Sequence, residues 1–204
     1  MEKKIAHVIS GLLHPMVMPF FTLLIIISLN TYISFVLTPA GKRILLGLVF
    51  TTTFMLPMSL IVLLSKKSLL KSLEMSERQE RTIPYLITAI FYYVTFEMLK
   101  KFYLPDIIYS ILLGAAFTAV VALFINLKWK ISAHMIGIGG LIGALAALSR
   151  ILMLDIHHWI MFLILIAGII GSARLLLKAH TPMQIYAGFL TGFCLMLLTV
   201  MIQS

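Results

Sequence analysis

Long apolar runs separated by short polar clusters set the architecture of this chain. A bilayer-crossing helix needs about 17–25 apolar residues. Runs at about 16–37, 44–64, 83–99, 106–127, 132–148, 159–177 and 182–202 meet that length. The pattern predicts an all-α polytopic bundle of about seven transmembrane helices, forming a single integral-membrane domain over residues 1–204. Residues 1–14 read as a short, weakly amphipathic lead-in, with His7 and His14 as interface residues, and Pro15 and Pro19 open span one. Thr38 to Arg43 reads as a tight polar turn, and Pro57 predicts a kink in span two. Residues 65–82 are the longest polar stretch, where Leu69, Leu70 and Leu73 would give an interfacial helix its apolar face. Glu97 is spaced to pair with Lys100 and Lys101. Asp155 is expected to pair with Arg150, while His157 and His158 beside Trp159 read as interface residues. Gly139, Gly143 and Ala147 recur every fourth position and Gly188 precedes Gly192 by four, so each set predicts a close-packing face.

Composition agrees with this class. Of 204 residues, 61% are hydrophobic and 11% charged, with mean hydropathy +1.09; soluble domains are nearer 45–50% and 25%. The first apolar run is long and lacks an obvious small-residue cleavage site, so no cleavable signal peptide is expected. Cys194 is the single cysteine, which excludes an internal disulfide and a cysteine metal cluster. The net charge of +9 fits basic loops on one side of the membrane, anionic lipid headgroups and an anionic substrate. Nucleic acid is not an expected partner, because no soluble basic domain is present to hold it.

The chemistry concentrates between Gly171 and Gly188. Ionisable groups at membrane depth are costly and mark function by default. Arg174 and His180 are six residues apart, so on one continuous helix they would face roughly 240° apart. Thr181-Pro182 supplies a break, a Thr N-cap followed by Pro at the first helical position, and Gln184 completes a capping box. His180 then lies just ahead of a helix N-terminus, where N–H groups and the dipole favour an anion. With seven crossings, the 65–82 loop and the 128–134 and 172–181 junctions fall on one face of the membrane.

Those clusters read Lys71-x6-Arg78 with Arg81 close by, Lys130-Ile131-Ser132-Ala133-His134, and Ser172-Ala173-Arg174-x5-His180-x3-Gln184. In order and spacing they resemble, in divergent form, the type 2 phosphatidic acid phosphatase (PAP2) superfamily. Its pattern is K-x6-R-P, then P-S-G-H, then S-R-x5-H-x3-D. The resemblance covers residues at about 66–190 and departs at Gln79, Ile131, Ala133, Ala173 and Gln184. It implies a PAP2-like core and hydrolysis of a lipid phosphate or pyrophosphate through a phosphohistidine, with no metal or cofactor. It makes His180 the nucleophile and His134 the acid for the leaving alcohol, and gives Lys71, Arg78 and Arg174 to the phosphate. Arg81, Lys130 and Ser132 are further phosphate-binding candidates, and Gln184, where the family has Asp, would orient His180 through its carbonyl. Phosphatidic acid, phosphatidylglycerol phosphate and polyprenyl phosphates are all open as substrates. Two alternatives stand beside this reading: a catalytically degenerate member that binds or moves phospholipid, favoured by Gln184, and a lipid phosphotransferase. The expected location is a bacterial cytoplasmic membrane. Lys3, Lys4, Lys66 and Lys67 point to a cytoplasmic-facing site, whereas the resemblance implies the outer face.

Overall fold

A computed structural model describes residues 1–66 and 78–203. The described residues are helical, with no strand: α1 Glu2–Leu12, α2 Met18–Ser28, α3 Tyr32–Val36, α4 Pro39–Phe50, α5 Leu56–Lys66, α6 Thr82–Leu99, α7 Asp106–Lys128, α8 Ala133–Ile151, α9 His157–Leu176 and α10 Pro182–Gln203. Among the described residues seven segments are long and apolar enough to cross a bilayer, and large apolar side chains such as Phe35, Phe124, Leu165 and Ile202 point outward. This is the architecture of a multi-pass membrane protein.

The first segment departs from expectation. Residues 2–12 form a helix that joins α2 through a 3₁₀ turn, Pro15–Val17, so the candidate span is Glu2–Ser28. Leu29 leaves the helix with extended backbone, and Tyr32–Val36 form a separate short helix. Pro57 lies just after an irregular turn of its helix. It has no N–H for the carbonyl one turn back, and the helix widens into a π turn over Thr51–Met55 just upstream. The Thr52 and Thr53 hydroxyls bond the carbonyls of Leu48 and Val49 there, both at 2.8 Å. Thr38 caps α4 through its hydroxyl, 3.1 Å from the Gly41 N–H, with Pro39 at the first position. The polar stretch at 65–82 lies largely outside the described residues, including the apolar face expected at Leu69, Leu70 and Leu73. Glu97 pairs with Lys100 at 3.3 Å, as its spacing predicts. Asp155 pairs with His157 at 2.7 Å rather than with Arg150, because the N–H groups and ring of His157 at the start of α9 are nearer in sequence than the far end of α8.

α8 is the central helix, buried along most of its length and packed against α2, α7, α9 and α10. Its contact with α10 is the most extensive between the described helices, and it joins the two small-residue faces seen in the sequence. A β-carbon on Gly139 would stand 2.3 Å from the Phe189 carbonyl oxygen, and one on Gly143 2.4 Å from that of Phe193. One on Gly192 would stand 2.0 Å from the Ile136 oxygen. The register, 139 with 189 and 143 with 193, makes α8 and α10 parallel, so both N-termini open at the same end of the bundle.

This packing predicts a contrast between two glycines. Gly192→Ala must force α8 and α10 apart and should cost about 1–3 kcal/mol. Gly47→Ala, whose β-carbon meets nothing within 4 Å on α4, should be neutral or gain up to about 1 kcal/mol of helix propensity. Thermal unfolding midpoints of the two variants in detergent decide it; equal midpoints would contradict the close approach.

Candidate functional site

The end of the bundle where α8 and α10 begin also receives the start of α6, the last turn of α9 and the C-terminal part of α1. The path from α9 to α10 explains how. α9 stops in a left-handed residue, Lys178, at φ 51°. Ala179 N–H bonds the Arg174 carbonyl at 3.1 Å and Lys178 N–H bonds that of Leu175 at 2.8 Å, a Schellman closure. Thr181 then caps α10. Gln184 Oε1 accepts from Thr181 N–H at 3.2 Å, and Thr181 Oγ1 accepts from Gln184 N–H at 3.4 Å, which is the capping box read from the sequence.

His180 sits in that break, 7% exposed. Its Nδ1 is 3.0 Å from Gln184 Oε1 and its Nε2 is 3.1 Å from Arg81 Nη1. A guanidinium only donates and an amide oxygen only accepts. The ring is therefore the neutral tautomer with its proton on Nδ1 and its lone pair on Nε2. Burial, followed by the positive charge of Arg81, holds its pKa at about 3; Arg174 and Lys130 act in the same direction, and the Gln184 oxygen works against them. Lys130 is also held below its ordinary value, first by burial and then by Arg81 and Arg174.

Beside this pair lies a cavity of about 720 Å³. Its mouth carries His14, Arg81, Lys130, His134, Arg174 and Lys178, and the rest of its lining is mostly apolar, with Met18, Met58, Ala119, Leu141 and Met196. Among the described residues no carboxylate lines it. His180 does not line the cavity; it meets it through Arg81. His134 Nε2 donates to the Ser10 carbonyl at 3.0 Å, and its ring lies edge-on to His14 at 5.8 Å. Arg174 Nη1 donates to Ser10 Oγ at 3.2 Å, while its Nε has no partner.

The structure thus gathers His180, Gln184, Arg81, Lys130, His134 and Arg174. Arg78 takes no part through its side chain in the cavity lining; its carbonyl accepts from Asn126 Nδ2 at 2.9 Å. Three residues further on, Arg81 does line the cavity and reaches His180. Ser132 stands at the N-cap of α8, yet its side chain makes no capping bond and its buried hydroxyl is unpartnered. Lys71 lies outside the described residues. Ser10, His14 and Lys178 were not read as site residues, and His7 and His14 were expected at the interface; all four line the cavity. A signal was present, since positions 7 and 10 share one stripe of α1 and His14 follows just beyond its end. Among the described residues no set of three His, Cys, Asp or Glu side chains is grouped for a metal. Comparison with protein-family models, curated proteins and solved structures finds no match.

The state of His180 makes stability depend on pH. An unfolded His titrates near 6.5 and the folded one near 3, so between these values the unfolded chain takes a proton that the folded one refuses. The contribution is full above about pH 6.5 and falls as the pH drops, at up to about 1.4 kcal/mol per unit. Unfolding midpoints at about pH 7.5 and 5 should fall for the wild type and fall less for His180→Gln. Equal falls would show that His180 is already protonated in the fold.

Proposed function

We propose that the protein is a membrane phosphatase that hydrolyses a lipid phosphate or pyrophosphate through a phosphohistidine at His180. One observation carries the reading: a neutral, oriented imidazole lies behind an arginine at the cationic mouth of an apolar cavity that has no carboxylate in its described lining. The mouth suits a phosphate and the interior suits a hydrocarbon tail. The resemblance of the polar clusters to the PAP2 pattern supports the same chemistry.

The residues act as follows. The phosphate enters among Arg81, Lys130 and Arg174, whose charges match those spread over the non-bridging oxygens in transfer. Arg81 exchanges His180 Nε2 for a phosphate oxygen, which uncovers the lone pair. Nε2 attacks phosphorus and the bond to the lipid alcohol breaks, the alcohol leaving with a proton from the acid. Gln184 holds Nδ1–H throughout. Water then cleaves the P–N bond, releasing phosphate and restoring His180. His134 is the candidate acid. A second reading, a non-catalytic binder of the same ligand, is favoured by the hydrogen bond from His134 to Ser10, which engages the N–H an acid needs, and by the neutral Gln184.

Phosphate release from a panel of lipid phosphates by purified protein tests the proposal. His180→Ala should abolish turnover, and Arg81→Ala and Arg174→Ala should each lower it by about a hundredfold or more. Gln184→Asp should leave it unchanged or raise it, since a carboxylate steadies the imidazolium that Gln cannot. Saturable binding without release would establish the binder; neither binding nor release would overturn both. The flanking lysines favour a cytoplasmic-facing site. In a Cys194→Ser background, a membrane-impermeant thiol reagent added to intact cells should label a cysteine placed at exposed Thr38 and spare one at exposed Lys128; the reverse pattern puts the site outside.

A further inference from the structure

The N–H of His134 is already in use. Its Nε2 lies 3.0 Å from the Ser10 carbonyl oxygen, which can only accept, so Nε2 carries the proton and donates it there. The Ser10 hydroxyl meanwhile accepts from Arg174 Nη1 at 3.2 Å. One residue of α1 thus holds a group from α8 and a group from α9, both at the cationic mouth, and His7, Ser10 and Gly11 line the cavity from that side. The sequence explains why the Ser10 carbonyl is available. The last four carbonyls of a helix lack an intrahelical donor, and in α1, which ends at Leu12, Ser10 is among them. Leu13 N–H turns back to the Ile9 carbonyl, His14 is extended, and Pro15, which has no N–H, opens the next turn. α1 is also lightly held. Its buried side chains are Ala6 and Ser10, whereas Ile5, Val8 and Leu12 are exposed. Two non-helical residues, Leu13 and His14, join it to the turn before α2, and such positions can absorb a rotation while α2 stays in place.

We propose that α1 is an autoinhibitory latch: docked on α9, it occupies His134 and Arg174 through Ser10, and a phosphate group entering the mouth displaces it by a swing about Leu13 and His14. This rests on the phosphate reading of the mouth and adds the regulation of that site. A single N–H serves one acceptor well, so the Ser10 carbonyl and a ligand oxygen compete for that of His134. At Arg174 the competition is between a neutral hydroxyl and an anionic oxygen, and a charged acceptor forms a bond roughly twice as strong. Once both bonds are lost, Ala6 is the one buried side chain of α1 left to hold the helix. The docked helix is then the resting state, and the ligand's stronger bonds to the same two groups supply the differential affinity that shifts it.

The test reads the position of α1 and is independent of turnover. Ala6 is 2% exposed in the docked helix. In a Cys194→Ser background, Ala6→Cys is labelled in detergent with a water-soluble maleimide, with and without inorganic phosphate and with chloride at equal ionic strength as the control. Phosphate should speed labelling by about tenfold or more. Ser10→Ala should speed it in the absence of phosphate, and Ser10→Asp, which offers Arg174 a carboxylate, should slow it. Unfolding midpoints check the fold, and because the two shifts are opposite, either variant decides if the other fails to fold. Phosphate that binds by calorimetry yet leaves the labelling rate unchanged, or Ser10 variants that label like the wild type, would overturn the latch and leave the phosphatase reading intact. Phosphate-driven labelling without turnover of any lipid phosphate would overturn the phosphatase reading and leave the latch standing. Failure of phosphate to bind overturns both.

Discussion

The backbones of α8 and α10 touch, and the rest of the molecule is arranged around that contact. Gly139, Gly143 and Gly192 remove the side chains that would otherwise separate the helices. In a bilayer such an approach is held by dispersion and packing rather than by release of water. It also has a chemical result. Because the helices are parallel, their N-termini stand side by side, which sets His134 at the start of one and His180 and Gln184 at the start of the other. Separation of this pair would remove both the mechanical centre of the bundle and the alignment of the two imidazoles.

Among the described residues the charged side chains that line the cavity at that end are all cationic, and Glu80 stands beside Arg81 outside the lining. Arg81 is 8% exposed, and the cavity-lining residues near it add Lys130, Arg174 and Lys178. Clustered buried cations are expensive unless something offsets them. Two of the acceptors beside them are uncharged: the His180 ring nitrogen for Arg81 and the Ser10 hydroxyl for Arg174. Imidazole is the natural group to stand here, since it can give up its charge where lysine and arginine hold theirs. A dianionic headgroup offsets more charge than these neutral acceptors can.

Much of the fold was legible in the sequence, because lipid demands apolar runs of a set length and glycine spacing marks close helix contacts. The break at Thr181-Pro182 was legible for the same reason: capping chemistry is local, and Gln184 meets Thr181 across three residues. What failed to show depended on approach in space. Which of Arg78 and Arg81 turns toward His180 is decided by the 3₁₀ turn Gln79–Arg81, whose phase no motif spacing fixes. Ser10 reaches the site only because α1 lies against α9, a contact between segments at opposite ends of the described chain. The lead-in reading of residues 1–14 missed this because the weak stripe of His7 and Ser10 resembles any interfacial helix.

That contact has a consequence for biosynthesis. Arg174 and Ser10 are 164 residues apart, and α1 buries only Ala6 and Ser10 of its own side chains. Ribosomes deliver α1 early and α9 late. The helix must wait at the nascent bundle through the insertion of all the intervening segments before its hydroxyl and carbonyl find Arg174 and His134. The cationic mouth is therefore finished only once α9 and the start of α10 have been made, and a chain interrupted before α9 would leave α1 without the helix it packs against.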